Sequence, residues 1–304
     1  MFQKATKKES KARIALLGPA GSGKTFTALR LAHQFGTQIA YIDTERGSAS
    51  KYAGDPNPDG GNFAFDVVDS WPDFRAERFV SAIQAAEKAG YQVLIIDSLS
   101  HAWSGPGGIL EFVDGKKGNS ANGFSAWREA TPAHNKLVDT ILNCRMHVII
   151  TMRVKMDYVQ EKDPQTNKTT VRKVGLQPVQ RDGVEYEFDI IGDINSGNIT
   201  ISKTRCSALA DRIYSKPGRD MALPILEWLS GEPVVEPPKF IAGEWLAEQL
   251  IDSGLPWAAY EGFLAEKNIS LVDMAPEKAT KILERLKLPE NQDAAARLHF
   301  GEVE

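Results

Sequence analysis

Cysteine is scarce: Cys144 and Cys206 are the only two in 304 residues. One bridge at most can form, so a disulfide scaffold is excluded and a reducing compartment is the expectation. Long hydrophobic runs are also missing. The aliphatic stretches at 14–17 and 93–96 fall far short of the roughly 20 residues a membrane helix needs. The opening MFQKATKKES puts charges where a signal peptide carries its apolar core. No sign of charge predominates, with 36 Lys+Arg against 40 Asp+Glu and 42% apolar residues. That composition excludes wholesale disorder. A pI near 5.8 argues against strong binding of duplex DNA by bulk charge alone. The two cysteines and five histidines show no metal-ligand spacing, and His101 and His134 read as structural histidines or as neighbours of the crevice described below. A cytoplasmic protein without membrane contact is expected.

The balance of charge is uneven along the chain. Residues 239–304 hold 7 Lys+Arg and 12 Asp+Glu, whereas 145–181 carry 8 basic residues against 3 acidic ones. An acidic tail behind a core with a local basic stretch fits an anionic ligand on the core, and solvated loop charges fit it equally. Four segments follow: a basic extension (1–12), a core (13–230), a Pro-rich linker (231–238) and a small acidic helical domain (239–304).

Within the core, buried-strand patterns at 13–17, 39–43, 63–68, 93–97 and 147–151 alternate with helical ones at 24–35, 72–90 and 127–143. Pro132 is compatible with the last of these only near its start. A Gly-rich loop is expected over 104–123, broken by a short helix at 109–113. Alternation of this kind implies an α/β fold with a mainly parallel sheet and helices on both faces. Residues 154–160 and 169–174 read as a hairpin with a polar tip at 163–167, and 188–194 with 199–203 as a second antiparallel pair. A short segment at 225–229 ends the core. The tail shows helical patterns at 244–251, 257–266 and 277–286, with Trp245, Leu246, Leu250 and Trp257 as a miniature core.

The chemistry begins at Gly18-Pro19-Ala20-Gly21-Ser22-Gly23-Lys24-Thr25, which fits G-x-x-x-x-G-K-[ST]. Glycines let successive N–H groups wrap a phosphate, and a helix N-terminus faces the same oxygens. Lys24 reaches the β/γ-phosphates and the Thr25 hydroxyl ligates Mg²⁺. ATP is the expected nucleotide. Asp97 ends a buried strand 73 residues after Lys24, facing the crevice where it can hold the metal's water shell. Glu45, just past the second strand, is the candidate to orient and deprotonate water, with Asp43 as a supporting rival.

Residues 41–45 (YIDTE), 94–98 (LIIDS) and the phosphate loop together resemble the ATPase core of RecA-family recombinases, and their order along the chain matches as well. The resemblance covers roughly 13–229 and is nearest to phage-type nucleotide-binding proteins with a RecA-like core and small tail, some of them single-strand annealing or recombination proteins. It implies a RecA-like P-loop NTPase core and a DNA-dependent ATPase acting on single-stranded DNA as a homo-oligomer, in the bacterial host cytoplasm if phage-encoded. The DNA would lie on two loops, 104–123 and 155–173, the second through Lys155, Lys168, Arg172 and Lys173. It also implies that Lys203 and Arg205 reach a neighbour's ATP, although surface cations after a strand fit them as well. Tyr52, seven residues after Glu45, matches an adenine-stacking tyrosine, and a packed loop tyrosine remains open. The sequence departs from RecA at Met152-Arg153, where RecA has a polar amide sensor, and about a dozen residues stand where RecA has its N-terminal oligomerisation module. Other readings are a nucleotide-gated binding module with little turnover and a helicase- or loader-class motor. The acidic tail is a candidate docking module for a protein partner.

Overall fold

The computed structural model describes residues 10–117, 123–162, 169–231, 242–271, 274 and 276–300. The chain divides into two compact units, Met1–Val234 and Val235–Glu304.

In the first unit, β1 (Arg13–Gly18) is buried along its whole length, as its unbroken apolar run requires. The phosphate loop follows, then α1 (Lys24–Phe35), which Gly36 ends by donating its N–H to the Ala32 carbonyl. Next come β2 (Ile39–Asp43), the short β3 (Asp66–Val68), α2 (Ala76–Ala89) and β4 (Val93–Asp97). α2 starts four residues past the expected opening, because the Asp73 carboxylate accepts the Arg75 N–H and pairs with the Arg75 and Arg78 side chains. β3 is half the expected length, since Phe63 packs into the core instead of extending it.

The short helix expected at 109–113 is present and longer, as α4 (Ile109–Lys117), and α3 (Ser100–Ser104) precedes the Gly-rich stretch. Ile109 and Val113 bury their side chains in the core and hold α4 there, and 118–122 fall outside the described residues. α5 (Gly123–Asn143) places Pro132 well inside a helix. The expectation that Pro132 stands near a helix start is corrected: Ala126, Ala130, Leu137 and Ile141, on both sides of it, are buried together. That burial outweighs the roughly 3 kcal/mol cost of an internal proline.

β5 (His147–Lys162) runs past the sheet into a hairpin with β6 (Thr169–Pro178), and the expected polar tip lies outside the described residues. β7 (Ile190–Asn195) and β8 (Asn198–Thr204) form the second hairpin. β9 (Ile213–Ser215), too short to show a period, extends the edge, and the expected segment at 225–229 belongs to α6 (Arg219–Ser230).

The sheet order is β3-β2-β4-β5-β1-β7-β8-β9, parallel from β3 to β7 and antiparallel beyond. Alternation along β1 sends Ala15 and Leu17 to the face covered by α2 and α5, and Ile14 and Leu16 to the face covered by α1 and α6. Because the central strands run the same way, the ends of β1, β2, β4 and β5 share one edge of the sheet, where the crevice forms.

The second unit contains α7 (Ala242–Asp252), α8 (Trp257–Glu266), α9 (Pro276–Leu286) and α10 (Pro289–Phe300), the last unforeseen in the sequence. Its core is Leu246, Leu250, Tyr260, Phe263 and Leu283, with Trp245 and Trp257 half-buried at its rim. No helix among the described residues is long and apolar enough to cross a membrane.

Candidate nucleotide site

The phosphate loop is shaped by close backbone packing. A Cβ on Gly18 would stand 2.5 Å from the Ile194 carbonyl oxygen and from Ser22 Oγ, and Gly23 has φ of 100°, a conformation costly for any other residue. Lys24 folds back over the loop, donating to the carbonyls of Gly18 at 2.9 Å and Pro19 at 2.7 Å. Burial lowers its pKa, against the upward pull of Asp97 and Glu45. Ser22 Oγ is buried without a hydrogen-bond partner among the described residues. An orphaned hydroxyl, a side-chain-free cradle and an ammonium held only by loop carbonyls fit a polyphosphate.

Asp97 is the hub of the crevice. Its carboxylate accepts from Thr25 Oγ1 at 2.6 Å, from Tyr41 Oη at 2.7 Å and from Thr151 Oγ1. These donors come from α1, β2 and β5, so the group is fixed from three sides. Burial first, and then the Asp97 charge, push the Tyr41 hydroxyl far above its ordinary pKa, keeping it a donor. Thr25 and Asp97 together offer hard oxygens of the kind Mg²⁺ takes, leaving phosphate oxygens and waters to complete its shell.

The tip of β2 separates two carboxylates. Asp43 is fully buried, accepting the N–H groups of Glu45 at 2.6 Å and Ala49 at 3.0 Å. Burial raises its pKa despite these bonds. Glu45 instead reaches into the crevice and forms a two-pronged pair with Arg153, at 3.0 and 2.5 Å. Thr44, between them, accepts the Ser98 N–H at 2.7 Å and meets His101 Nδ1 at 2.6 Å. His101 stacks on Phe74, and burial, reinforced by the Arg153 charge, lowers its pKa. His134 lies away from these groups, buried against Trp103 and bonded to Gln180.

The remaining expectations divide. Tyr52 packs on Phe26 with ring centroids 5.7 Å apart, next in sequence to Thr25 on α1. Lys203 and Arg205 lie at the opposite end of the sheet from their own phosphate loop. Lys203 Nζ donates to the carbonyls of Tyr186 and Phe188, and Arg205 pairs with Asp189 at 2.7 Å. In this chain they therefore take no part in its own crevice. Lys155 is exposed on β5, opposite Gln177. Arg172 and Lys173 occupy strand positions opposite Val159 and Tyr158, their side chains outside the described residues, as is Lys168 altogether. The segment that the resemblance treats as a DNA-facing loop is, over its described part, the paired hairpin that the strand patterns at 154–160 and 169–174 predict.

Residues 10–215 match the model of the AAA domain family. The chain belongs to that family. Its AAA domain is a P-loop NTPase domain and contains the loop, the β2 tip, Asp97 and the hairpin. Among solved structures, the genome packaging NTPase B204 from Sulfolobus turreted icosahedral virus 2, in complex with AMPPCP, is similar at 14% identity and a TM-score of 0.33, over 67% of this chain and 95% of that one. No curated protein matches the chain.

Sequence reasoning missed Tyr41, Thr44 and Thr151 as parts of this AAA site. For Thr151 a signal existed: it closes a predicted parallel strand, and such ends face the crevice. Tyr41 and Thr44 gave none, because a mid-strand hydroxyl and a loop hydroxyl acquire partners only when neighbouring strands assemble.

Proposed function

We propose that the AAA domain is a Mg²⁺-dependent ATPase that responds to single-stranded DNA, acting in phage-type recombination or strand annealing. Lys24 exchanges its loop carbonyls for the β/γ-phosphates, and Thr25 with Asp97 would hold Mg²⁺. The bound metal supplies positive charge against the negative charge developing on the phosphates. Tyr41 and Thr151 keep the Asp97 oxygens oriented, and Glu45 takes the proton of the attacking water.

The observation that carries this reading is the Glu45–Arg153 pair. Arg153 pairs with Gly18 in register, and at the next residue, Val154, β5 begins its ladder with β6. One residue therefore joins the water-activating carboxylate to the hairpin that carries Lys155, Arg172 and Lys173. DNA on the hairpin would shift Arg153 and free Glu45. The same closed pair favours, as a second reading, a nucleotide-gated binding module with slow turnover, since Glu45 is engaged without DNA.

The test is the ATP hydrolysis rate with and without single-stranded DNA, beside oligonucleotide anisotropy across a salt series. Stimulation by DNA is expected. Replacing Lys168, Arg172 and Lys173 should weaken DNA binding and reduce the salt slope by about 0.7 for each phosphate no longer neutralised. Hydrolysis indifferent to DNA, with an unchanged slope, would leave the gated module as the better reading.

A further inference from the structure

The turn between β7 and β8 lies directly against the phosphate loop. The Gly197 N–H donates to the Ser22 carbonyl at 2.9 Å, and a Cβ built on Gly23 would stand 3.5 Å from Gly197 Cα. On the far side of Gly197 is Lys216, just past β9. The Lys216 N–H donates to the Gly197 carbonyl at 2.8 Å, and its side chain runs along Gly197, with Cγ 3.7 Å from where a Cβ there would be. Its carbonyl accepts from Arg30 Nη1 on α1, and Arg30 is itself held by both oxygens of Asp59, each at 2.8 Å. Both backbone groups of Lys216 are thus bolted to the phosphate-binding apparatus, one through the turn and one through α1.

This anchoring holds a lysine at φ of 48°, which an L-residue adopts only at a cost. Lys216 is exposed, and no carboxylate or carbonyl among the described residues pairs with its ammonium. The strand order gives its relation to the reaction. Glu45 follows β2 and Asp97 ends β4, on one flank of β1, whereas β7, β8 and β9 lie on the other. A nucleotide whose γ-phosphate meets the carboxylates extends its remaining phosphates and sugar toward the second flank.

We infer that Lys216 is a second cation of the nucleotide site, contacting the α/β-phosphate part of the nucleotide from the side opposite the carboxylates. The inference rests on the reading of this loop as a nucleotide site. A contact of this kind is made equally to nucleoside triphosphate and diphosphate, unlike that of Lys24, which includes the γ-phosphate.

Binding of fluorescent ATP and ADP analogues is measured for the full chain, wild type, Lys216→Gln, Lys216→Gly and Lys24→Ala. Lys216→Gln removes the charge and keeps much of the length; Lys216→Gly relieves the left-handed backbone, so misfolding does not explain its loss. Both should bind ATP and ADP about tenfold more weakly, by the same factor for each nucleotide, as loss of one charge-assisted hydrogen bond requires. Lys24→Ala should lose more for ATP than for ADP. Unchanged affinity in both Lys216 variants, with tight wild-type binding, overturns the role of Lys216 and leaves the nucleotide site intact. A loss confined to ATP overturns the placement on the α/β-phosphates. A wild type that binds neither nucleotide overturns the site reading and this inference together.

Discussion

The two ends of β1 each bury a cation, and the pair shows what separates a charge whose partners are complete from one whose partners can be exchanged. Arg13, at the start of the strand, makes five hydrogen bonds to the carbonyls of Ala12, Leu142, Cys144 and Met146. Leu142 lies in the last turn of α5, so the guanidinium satisfies acceptors that the helix end leaves open. Every donor of Arg13 is spent, and burial lowers its pKa. Lys24, beyond the other end, meets only loop carbonyls, beside the carboxylates of Asp97 and Glu45 and the orphaned Ser22 hydroxyl. Burial alone therefore marks neither residue as functional. The difference lies in whether the partners are satisfied once and for all or remain exchangeable for a ligand.

Breaking the closed end should cost stability above all. Arg13→Ala leaves several buried carbonyls without donors, and a loss of about 3–5 kcal/mol in urea unfolding is expected. A loss below about 1 kcal/mol would mean that water replaces the guanidinium and that this end is open too.

At the working end the cost should fall on chemistry. On the proposed mechanism, Glu45→Gln should keep ATP binding and lower hydrolysis about a hundredfold, near 3 kcal/mol of barrier. Single-turnover hydrolysis measures this, and Asp43→Asn producing the same phenotype would transfer the role to the buried neighbour.

His147 extends the comparison through pH. It lies at the closed end, stacked on Phe35 and accepting the Ala12 N–H at Nδ1. Burial, with Lys11 and Arg13 nearby, depresses its pKa to about 4. The unfolded chain then binds the extra proton between about pH 6.5 and 4 while the native state does not, so stability rises with pH through that window. Acidification from pH 7 should remove up to about 3 kcal/mol, flattening below pH 4 in this group's contribution. Unfolding of wild type and His147→Asn at several pH values isolates it; equal pH slopes for the two proteins would assign the effect to other groups.

The smallest effect is expected at the Glu45–Arg153 pair. Its side chains are 27% and 46% exposed, so Arg153→Ala should change unfolding free energy by less than about 1 kcal/mol. Release of Glu45 should raise DNA-free hydrolysis by about fivefold at most, the rate equivalent of that energy. A fall in DNA-free hydrolysis would make Arg153 a phosphate ligand instead of a restraint.

The phosphate loop with α1, the strand ending at Asp97 and the YIDTE stretch are legible because a short run of residues sets each: apolar continuity for a buried strand, glycine and lysine for the loop, helical spacing after it. In the Gly-rich stretch the helix at 109–113 is legible from its apolar residues, but its continuation to Lys117 is not, because the glycines argue against it while burial of Ile109 and Val113 holds α4 in place. Pro132 misleads for the same reason, since packing on both sides of it exceeds its local cost. β9 and α10 escape the sequence pattern, one too short to show a period and the other weakly amphipathic.

By itself, then, the sequence determined the alternating α/β core, the phosphate loop, the two carboxylate-bearing strands and the C-terminal helices, all of which depend on neighbours within a few residues. Only the tertiary structure decided that Thr151 and Tyr41 would fix Asp97, that Arg153 would hold Glu45 across 108 positions, and that Lys216 would back onto Gly23 through Gly197. Those pairings join residues whose spacing carries no period and no motif. They exist because the sheet order brings distant strand ends to one edge, and a linear pattern contains no information about which strands will lie side by side.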